Sequence, residues 1–252
     1  MQESLYFSSP VAIQNLLISL YGQILCRRRY GVEHDQMLKN LMKSVSANKK
    51  EIEALQNQQF LLLIKWAMKK ISFYKQLAAE SDFSMKTFSS VNDIVKLPII
   101  TKAQIRKNSK AFAVQNIKGK FELNTSGTSG TPLKIYCDKK SRQRHYAFWT
   151  RLREMNGIRR GMKRATFFGR IIMKPEQNRP PFWRYDAVNK NMLFSSYHLS
   201  PANLGAYCKK LHTYMPDEII GYPSSLALVA RWMKDNGYKG IFPKVVFTTA
   251  ET

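Results

Sequence analysis

Apolar residues recur at helical spacing through roughly the first 80 residues, most clearly in EIEALQNQQFLLLIKWAMKKISFYKQL (51–77). An earlier apolar stretch, VAIQNLLISLYGQIL (11–25), is interrupted by polar residues and is followed by Arg27, Arg28 and Arg29. This pattern favours an amphipathic helix packed on a core, and a helix lying at a membrane interface is the alternative. Neither apolar stretch is expected to cross a bilayer. We therefore expect helices over residues 1–80.

The pattern changes between residues 81 and 137. Leu97-Pro98 requires extended backbone before the proline, and Thr101 is a good N-cap for a short helix starting at Lys102. Two segments with strand character, KFELNT (120–125) and LKIYC (133–137), flank a loop rich in Gly, Ser and Thr. A loop between two strands belongs inside a fold, whereas a linker usually separates domains.

Strands and helices alternate from residue 121 onward. Helices are predicted from Asp138 to Asn156-Gly157, from Ser200-Pro201, and over SSLALVARWMKDNG (224–237). The strand candidates are RATFFG (164–169), NMLFSSY (191–197), EII (218–220) and a buried strand in KVVFTT (244–249). This order predicts an α/β fold with a mostly parallel sheet layered with helices, preceded by a helical N-terminal segment. We expect residues 1–80 to pack as that segment on a main domain of residues 81–252.

The charge is strongly positive, because 41 Lys and Arg against 17 Asp and Glu give a net charge of +24. Nucleic acid, anionic lipid or polyanionic substrates are therefore plausible partners. The stretch from Arg142 to Arg170 holds nine basic residues and one acid, Glu154. No nucleic-acid-binding signature accompanies it, so a solvated basic surface is the preferred interpretation and a nucleic-acid partner is not expected.

Cysteine and histidine spacing points to no metal centre or nucleophilic triad. Cys26, Cys137 and Cys208 are too far apart for a CxxC pair, and without a disulfide framework a reducing, cytoplasmic compartment is expected. No cleavable signal peptide is recognisable. His198 is expected to be a surface or capping residue, since no Ser–His–Asp or Cys–His arrangement follows from the spacing.

The loop between the first two strand candidates is the main candidate for chemistry. Gly127 and Gly130 permit close backbone approach, and five hydroxyl side chains surround them. Consecutive backbone N–H groups in such a loop can point at one anion. The loop lacks the Gly-Lys-Ser/Thr of a Walker motif. Composition alone leaves phosphate binding and an ordinary polar turn equally open.

The run NTSGTSGTPLKIY (124–136) resembles the phosphate loop of the adenylate-forming superfamily, whose pattern is Ser/Thr-Ser-Gly-Thr-Thr/Ser-Gly-x-Pro. Within that superfamily the chain is most similar to the phenylacetate–CoA ligase and CapK-type branch, the latter associated with capsular polysaccharide biosynthesis. Four further segments occur in the order of that branch: LLLIKWAMKKISFYKQL (61–77), LPIITKAQIRKN (97–108), IIGYPSSLALVARWM (219–233) and VVFTTAET (245–252). The resemblance covers about residues 55–252.

The resemblance implies three groups of site residues. The phosphates of ATP would be held by Thr125, Ser126, Gly127, Thr128, Ser129, Gly130 and Thr131, with Lys134 nearby. The adenine would lie beside Thr249, Ala250 and Glu251, where the family's Gly-Ala-Glu has a Thr in place of Gly. The acyl pocket would be lined by Phe167, Phe168, Gly169, Tyr222 and Pro223.

The resemblance also implies the partners. ATP, Mg²⁺ and a small carboxylic acid are expected, with CoA as one candidate acceptor and another thiol, an amine or a hydroxyl group as others. The family's adenylation lysine lies in a small C-terminal lid domain, which would fall past Thr252. Residues 81–252 are therefore expected to be an incomplete ATP-binding domain, with little or no turnover alone. The alternative is a non-catalytic basic protein on a ligase-derived fold, which binds nucleic acid or an anionic membrane surface.

Overall fold

A computed structural model describes residues 3–80, 85–114, 117, 119–125 and 132–249. The chain forms two compact units, one of residues 32–147 and one that joins residues 1–31 with 148–252. The helices are α1 (Glu3–Ser8), α2 (Val11–Arg29), α3 (Val32–Lys43), α4 (Lys49–Lys70), α5 (Ser72–Glu80), α6 (Lys102–Lys107), α7 (Lys139–Met155), α8 (Leu204–Tyr214) and α9 (Pro223–Asp235). The strands are β1 (Phe121–Asn124), β2 (Lys134–Cys137), β3 (Arg164–Phe168), β4 (Trp183–Asp186), β5 (Asn191–Ser195), β6 (Glu218–Gly221) and β7 (Val245–Thr248).

In the unit of residues 32–147, the helices are followed by a two-stranded antiparallel sheet, β1–β2. Phe60 and Ile64 of α4 pack with Phe88 in a small core. The Phe73 ring of α5 stacks on Phe112 with 4.4 Å between centroids. Apolar and aromatic burial of this kind holds α4, α5 and the segment before the hairpin together.

Two helix starts in this part of the sequence are confirmed. The Thr101 hydroxyl accepts a hydrogen bond of 3.2 Å from the Gln104 backbone N–H, which completes a capping box at the start of α6. Asp138 caps α7, because its Oδ1 accepts a 2.7 Å bond from the Ser141 N–H. These side chains satisfy N–H groups that have no partner within the helix.

The second unit is built on a five-stranded sheet in the order β4-β5-β3-β6-β7. β3 pairs in parallel with β5 and β6, and β6 pairs in parallel with β7. The edge strand β4 runs antiparallel to β5. The predicted α/β fold with a mostly parallel sheet is confirmed, although β4 was not predicted.

The core of this unit is aromatic. Phe167 of β3 is fully buried and stacks on Phe194 of β5, with 4.7 Å between centroids and 3° between planes. Tyr207 of α8 packs against the same rings. Gly221 must lack a side chain, because a Cβ there would lie 2.7 Å from both the Cβ and the carbonyl oxygen of Phe167.

A buried carboxylate connects three elements of the same unit. The Glu218 side chain on β6 is 1% exposed and accepts hydrogen bonds at 2.9 and 2.6 Å from Nε and Nη2 of Arg153 on α7. Nε of Arg164 on β3 lies 3.2 Å from the same oxygen. Burial lowers the pKa of the Arg153 guanidinium, which nevertheless stays charged at neutral pH. The two cations compensate for the burial of the carboxylate.

Three expectations about this unit are corrected. α8 starts at Leu204, because the Ser200 carbonyl first accepts bonds from the Asn203 and Leu204 N–H groups in a turn after Pro201. β7 is an edge strand in which alternate residues are exposed, so it is not fully buried. α2 packs Ile18 against the core but leaves many of its other apolar side chains exposed, so it is core-packed only in part. Among the described helices, none has the length and apolar character that a bilayer span needs.

The three cysteines are free thiols in different surroundings. Burial raises the pKa of the Cys208 thiol to about 11. The Cys26 thiol is also buried and donates a hydrogen bond to Asn189 Oδ1 at 2.9 Å. Cys137, on β2, is partly exposed. The thiolate is the reactive form, so a raised pKa and burial both slow attack on a thiol reagent.

We therefore expect one cysteine of the folded chain to react with Ellman's reagent at pH 8 and all three to react after unfolding in guanidinium chloride. The Cys137→Ser variant should lose the fast reaction, whereas Cys208→Ser should keep it. Fast reaction of two or more thiols in the folded wild-type chain would contradict the burial of Cys26 and Cys208.

Candidate functional site

The glycine-rich loop is carried by the β1–β2 hairpin. Phe121 pairs with Cys137 at one end of the ladder, and Asn124 pairs with Lys134 at the other. Beyond this last pair, the Thr125 N–H donates to the Leu133 carbonyl at 3.1 Å, and the Leu133 N–H donates to the Thr125 hydroxyl at 3.0 Å. These two bonds join the ends of the loop. The proposed phosphate ligands of residues 126–131 lie outside the described residues, and their role stays a prediction.

Lys134 lies at the end of the loop, on the first residue of β2. Its Nζ is 3.3 Å from Glu122 Oε2, and both side chains are about half exposed. Salt bridges between exposed side chains contribute little to stability, so the Lys134 ammonium can exchange this carboxylate for a phosphate at small cost. A lysine and a hydroxyl next to a glycine-rich loop are donors suited to an anion.

The same unit contains a cavity of about 470 Å³ that sequence reasoning did not identify. Most of its lining is apolar, including Trp66, Tyr74, Ile105, Phe112, Ile135 and Tyr136. Burial raises the pKa of the Tyr74 phenol. Lys134 and Asp138 add charged groups to the lining, so the cavity adjoins the hairpin that carries the loop. Its residues come from distant positions, and no local sequence pattern could have indicated it.

In the second unit, the carboxyl ends of the parallel strands bring predicted site residues to one edge of the sheet. Gly169 directly follows β3, Tyr222 directly follows β6, and Thr249 directly follows β7. The Thr249 N–H donates to the Gly221 carbonyl at 3.3 Å. Ligands of open α/β sheets characteristically bind in the crevice at the carboxyl ends of the strands. The last two predicted adenine residues, Ala250 and Glu251, lie outside the described residues.

The predicted acyl-pocket residues have different environments at this edge. The rings of Phe168 and Tyr222 meet edge to face, with 5.3 Å between centroids. Pro223 is the first residue of α9, the position that suits a proline at a helix start. Phe167, by contrast, is a core residue, so its contribution would be to hold β3 in place. The lining role of the group stays a prediction.

Tyr197 is a further member of this edge that sequence reasoning missed. Its hydroxyl donates to the Gly169 carbonyl at 3.2 Å, and the side chain is 66% exposed. It follows β5, the strand beside β3, which places it next to the predicted acyl residues. A tyrosine shortly after a predicted strand was the available signal, but the strand order needed to interpret it was unknown.

His198 is buried, so it is not the surface residue that was one of the two expectations. Its Nδ1 lies 2.7 Å from Ser195 Oγ, and its Nε2 lies 3.2 Å from the Lys174 carbonyl. The Nε2–H therefore donates to the carbonyl and Nδ1 accepts from the serine hydroxyl. Ser195 is 1% exposed and His198 is 8% exposed, so this hydrogen-bonded pair is buried at the turn after β5. No group of three or more potential metal ligands occurs in the described part of the chain.

Comparison with known proteins adds a family context. Protein CapK of Staphylococcus aureus is 30% identical over 249 residues, which cover 98% of this chain and 54% of CapK. No family model matches the chain. The chain thus spans about half the length of the curated relative it matches.

Solved structures of 2-hydroxyisobutyryl-CoA ligase share the fold. The postadenylation state of that ligase, in complex with R3-HIB-AMP, has a TM-score of 0.53 at 16% identity, covering 81% of this chain and 44% of the ligase. An open conformation in complex with 2-HIB-AMP and CoA has a TM-score of 0.52 at 16% identity, covering 82% of this chain and 49% of the ligase. The chain is therefore similar to CapK over almost its whole length and shares the fold of 2-hydroxyisobutyryl-CoA ligase.

Proposed function

We propose that the chain is the N-terminal part of an ATP-dependent ligase that activates a carboxylic acid as an acyl-adenylate, similar to phenylacetate–CoA ligase and CapK. One observation carries the proposal. Thr125 and Leu133, at the two ends of the glycine-rich loop, are joined by two hydrogen bonds of the hairpin. Lys134 directly follows Leu133. The similarity to CapK and the fold shared with acyl-CoA ligases support it.

The reaction needs a triphosphate held while a carboxylate attacks it. A carboxylate oxygen forms a bond to the α-phosphorus of ATP, the bond from that phosphorus to the bridging α–β oxygen breaks, and pyrophosphate leaves. Negative charge accumulates on the phosphate oxygens during this displacement. Backbone N–H groups, hydroxyls and the Lys134 ammonium would stabilise that charge without reorganisation.

The donors on the hairpin suit phosphate and do not suit a directly bound metal. Mg²⁺ prefers carboxylate, phosphate and water oxygens and is usually held partly by the nucleotide's own phosphates. The Glu122 carboxylate on the same hairpin forms a salt bridge with Lys134. Mg²⁺ would therefore arrive with ATP and supply charge neutralisation, while Thr125 and Lys134 position the phosphates.

The acyl group and the adenine are assigned to the edge where the parallel strands end. Phe168, Gly169, Tyr222 and Pro223 would bind the carboxylic acid, and Thr249 would begin the adenine-binding segment. Phe168 and Tyr222 offer aromatic surface, and the exposed hydroxyl of Tyr197 offers a polar group beside it. An acid with both an apolar body and a polar substituent would match this mixture.

The acceptor and the setting are proposed by analogy with similar proteins. CoA is the first candidate acceptor, because the structural neighbours include a ligase in complex with CoA. The resemblance to the CapK-type branch makes surface polysaccharide synthesis the proposed setting, in which a sugar amine or hydroxyl group would be an alternative acceptor. The three unpaired thiols support a reducing, cytoplasmic compartment.

Lys134→Ala is expected to weaken ATP binding by about tenfold or more, since hydrogen bonds to charged groups contribute more than neutral ones. Equilibrium titration with ATP and Mg²⁺ on the longest natural product of the gene measures the effect. Glu122→Ala removes the competing carboxylate and should leave the affinity unchanged or higher. Lys50→Ala, at an exposed position on α4, serves as the charge-matched control. Equal losses in Lys134→Ala and Glu122→Ala would indicate a structural role for the pair and contradict the assignment.

A further inference from the structure

Helix α2 packs against the sheet through a side that presents several polar residues, with Ile18 packed against the core. The Asn15 Oδ1 atom accepts a hydrogen bond of 2.9 Å from the Tyr185 backbone N–H of the edge strand β4. The Ser19 hydroxyl accepts a 3.0 Å bond from the Ala187 N–H, directly after that strand. These bonds satisfy backbone groups on the side of β4 that has no neighbouring strand. Through these hydrogen bonds, α2 covers the outer side of β4, the edge strand of the sheet.

Other contacts on this side fix the rotation of the helix. Gln14, which is 4% exposed, accepts a hydrogen bond from the buried Arg184 guanidinium. One helical turn before Cys26, Gly22 lies so close to β4 that a Cβ would come within 2.7 Å of the Asp186 carboxyl carbon. Turning α2 about its axis would break these bonds and leave the buried Nε–H of Arg184 without its acceptor, which is costly.

The opposite side of α2 is consequently apolar and exposed. Its exposed fractions are 46% for Ile13, 58% for Leu16, 55% for Leu20, 55% for Tyr21 and 47% for Ile24. The spacing of residues 13, 16, 20 and 24 places them on one stripe of the helix. A contiguous exposed apolar patch of this kind marks an interaction surface. We call these five residues the α2 apolar stripe.

The charge around the stripe indicates what it contacts. Arg27 and Arg28 are exposed in the last turn of α2, and the helix contains no acidic residue. The whole chain carries +24. Apolar side chains, a tyrosine beside them and flanking arginines match an anionic lipid surface, in which the apolar groups enter the acyl boundary and the arginines meet the headgroups. Basic charge beside an apolar stripe, with no acid on the helix, is typical of helices that lie on an anionic membrane surface.

We propose that the α2 apolar stripe, with Arg27 and Arg28, docks the protein on an anionic membrane surface. The helix lies in the plane of the interface with its polar side still bonded to β4. This role is independent of the ligase chemistry proposed above, because neither the glycine-rich loop nor the residues at the strand ends take part. It would hold the protein at the membrane.

Flotation with lipid vesicles tests the proposal on the longest natural product of the gene. One set of vesicles is pure phosphatidylcholine, and the other contains phosphatidylcholine and phosphatidylglycerol in equal amounts. The variants are Leu16→Gln/Leu20→Gln and Arg27→Gln/Arg28→Gln. A control, Val95→Gln/Phe242→Gln, removes two apolar side chains that are 83% and 87% exposed elsewhere on the chain.

We expect the wild-type protein to bind the anionic vesicles and to be released by salt. Each α2 variant should bind about tenfold more weakly or worse, while the control variant binds as the wild type does. Absence of binding to anionic vesicles, or equal binding by the wild type and Leu16→Gln/Leu20→Gln, would overturn the proposal. Light scattering measures the oligomeric state of the same proteins. If the wild type is a dimer and Leu16→Gln/Leu20→Gln is a monomer, the α2 apolar stripe binds a second copy of the chain, and the membrane proposal is overturned.

Discussion

Replacing Glu218 with alanine is expected to lower the free energy of unfolding by about 3–5 kcal/mol, because it leaves two cations without their buried partner. The carboxylate is 1% exposed, and Arg153 and Arg164 both donate to the same oxygen. Since Arg153 lies on α7 and Arg164 on β3, losing the carboxylate removes the link between β6, β3 and this helix. Urea unfolding followed by circular dichroism measures the change.

The control for this prediction is Glu154→Ala, which removes an exposed carboxylate next to Arg153 in sequence. It is expected to change the free energy of unfolding by about 0.5 kcal/mol or less, as is usual at such surface positions. Glu218→Gln should fall between the two, because the amide oxygen still accepts a hydrogen bond. If Glu218→Ala were as stable as Glu154→Ala, the ion-pair network would have no stabilising role.

Gly127→Val is expected to reduce ATP binding and acid activation by about a hundredfold or more. This is the size of effect seen when an enzyme loses one hydrogen-bond donor that stabilises the transition state. Glycine permits close approach of backbone N–H groups to a phosphate, and a β-branched side chain blocks that approach. Gly127 lies outside the described residues, so the prediction depends on the sequence pattern and on the bonded ends of its loop.

Binding of ATP and binding of anionic vesicles, both measured on Gly127→Val, separate this prediction from general damage. Lipid binding is assigned to α2 and should be retained, and the far-ultraviolet circular dichroism spectrum should be unchanged. A variant that keeps its spectrum and its ATP affinity would show that the loop does not hold the phosphates. The ATP affinity of Ser129→Ala, which removes one hydroxyl group from the same loop, gives a second test of phosphate binding.

The sequence was most informative where periodicity and capping residues agreed. The strands around Phe167, Phe194 and Ile219 are short apolar runs bounded by turn residues, and all three are found as predicted. The start of α6 followed from Thr101, whose side chain has an obvious backbone partner. β4 was missed because Trp183–Asp186 contains two charged residues in four, and its pairing with β5 depends on contacts distant in sequence.

The direction in which a helix face or a side chain points could not be predicted in the same way. The apolar residues of α2 suggest a core-facing helix, but its polar side chains serve β4, whose presence was not predicted. Similarly, Ser195 and His198 are close in sequence, yet only the turn after β5 brings their side chains together and buries them. Both cases depend on tertiary packing that a local pattern does not encode.

For the candidate site, the glycine-rich loop could be identified from sequence because its residue types and spacing are local. Tyr197 and the cavity beside the β1–β2 hairpin could not, since each depends on elements that are brought together by the fold. The strand order places Gly169, Tyr222 and Thr249 at one edge, whereas the family resemblance related only Gly169 and Tyr222 to a common pocket.

The most direct test of the central claim is isotope exchange between pyrophosphate and ATP, measured on the longest natural product of the gene with a panel of carboxylic acids. Exchange requires reversible formation of an acyl-adenylate, and it needs no knowledge of the acceptor. We expect exchange with at least one acid and its loss in Gly127→Val. A folded full-length protein that gives no exchange with any acid would contradict the assignment as a carboxylate-activating ligase.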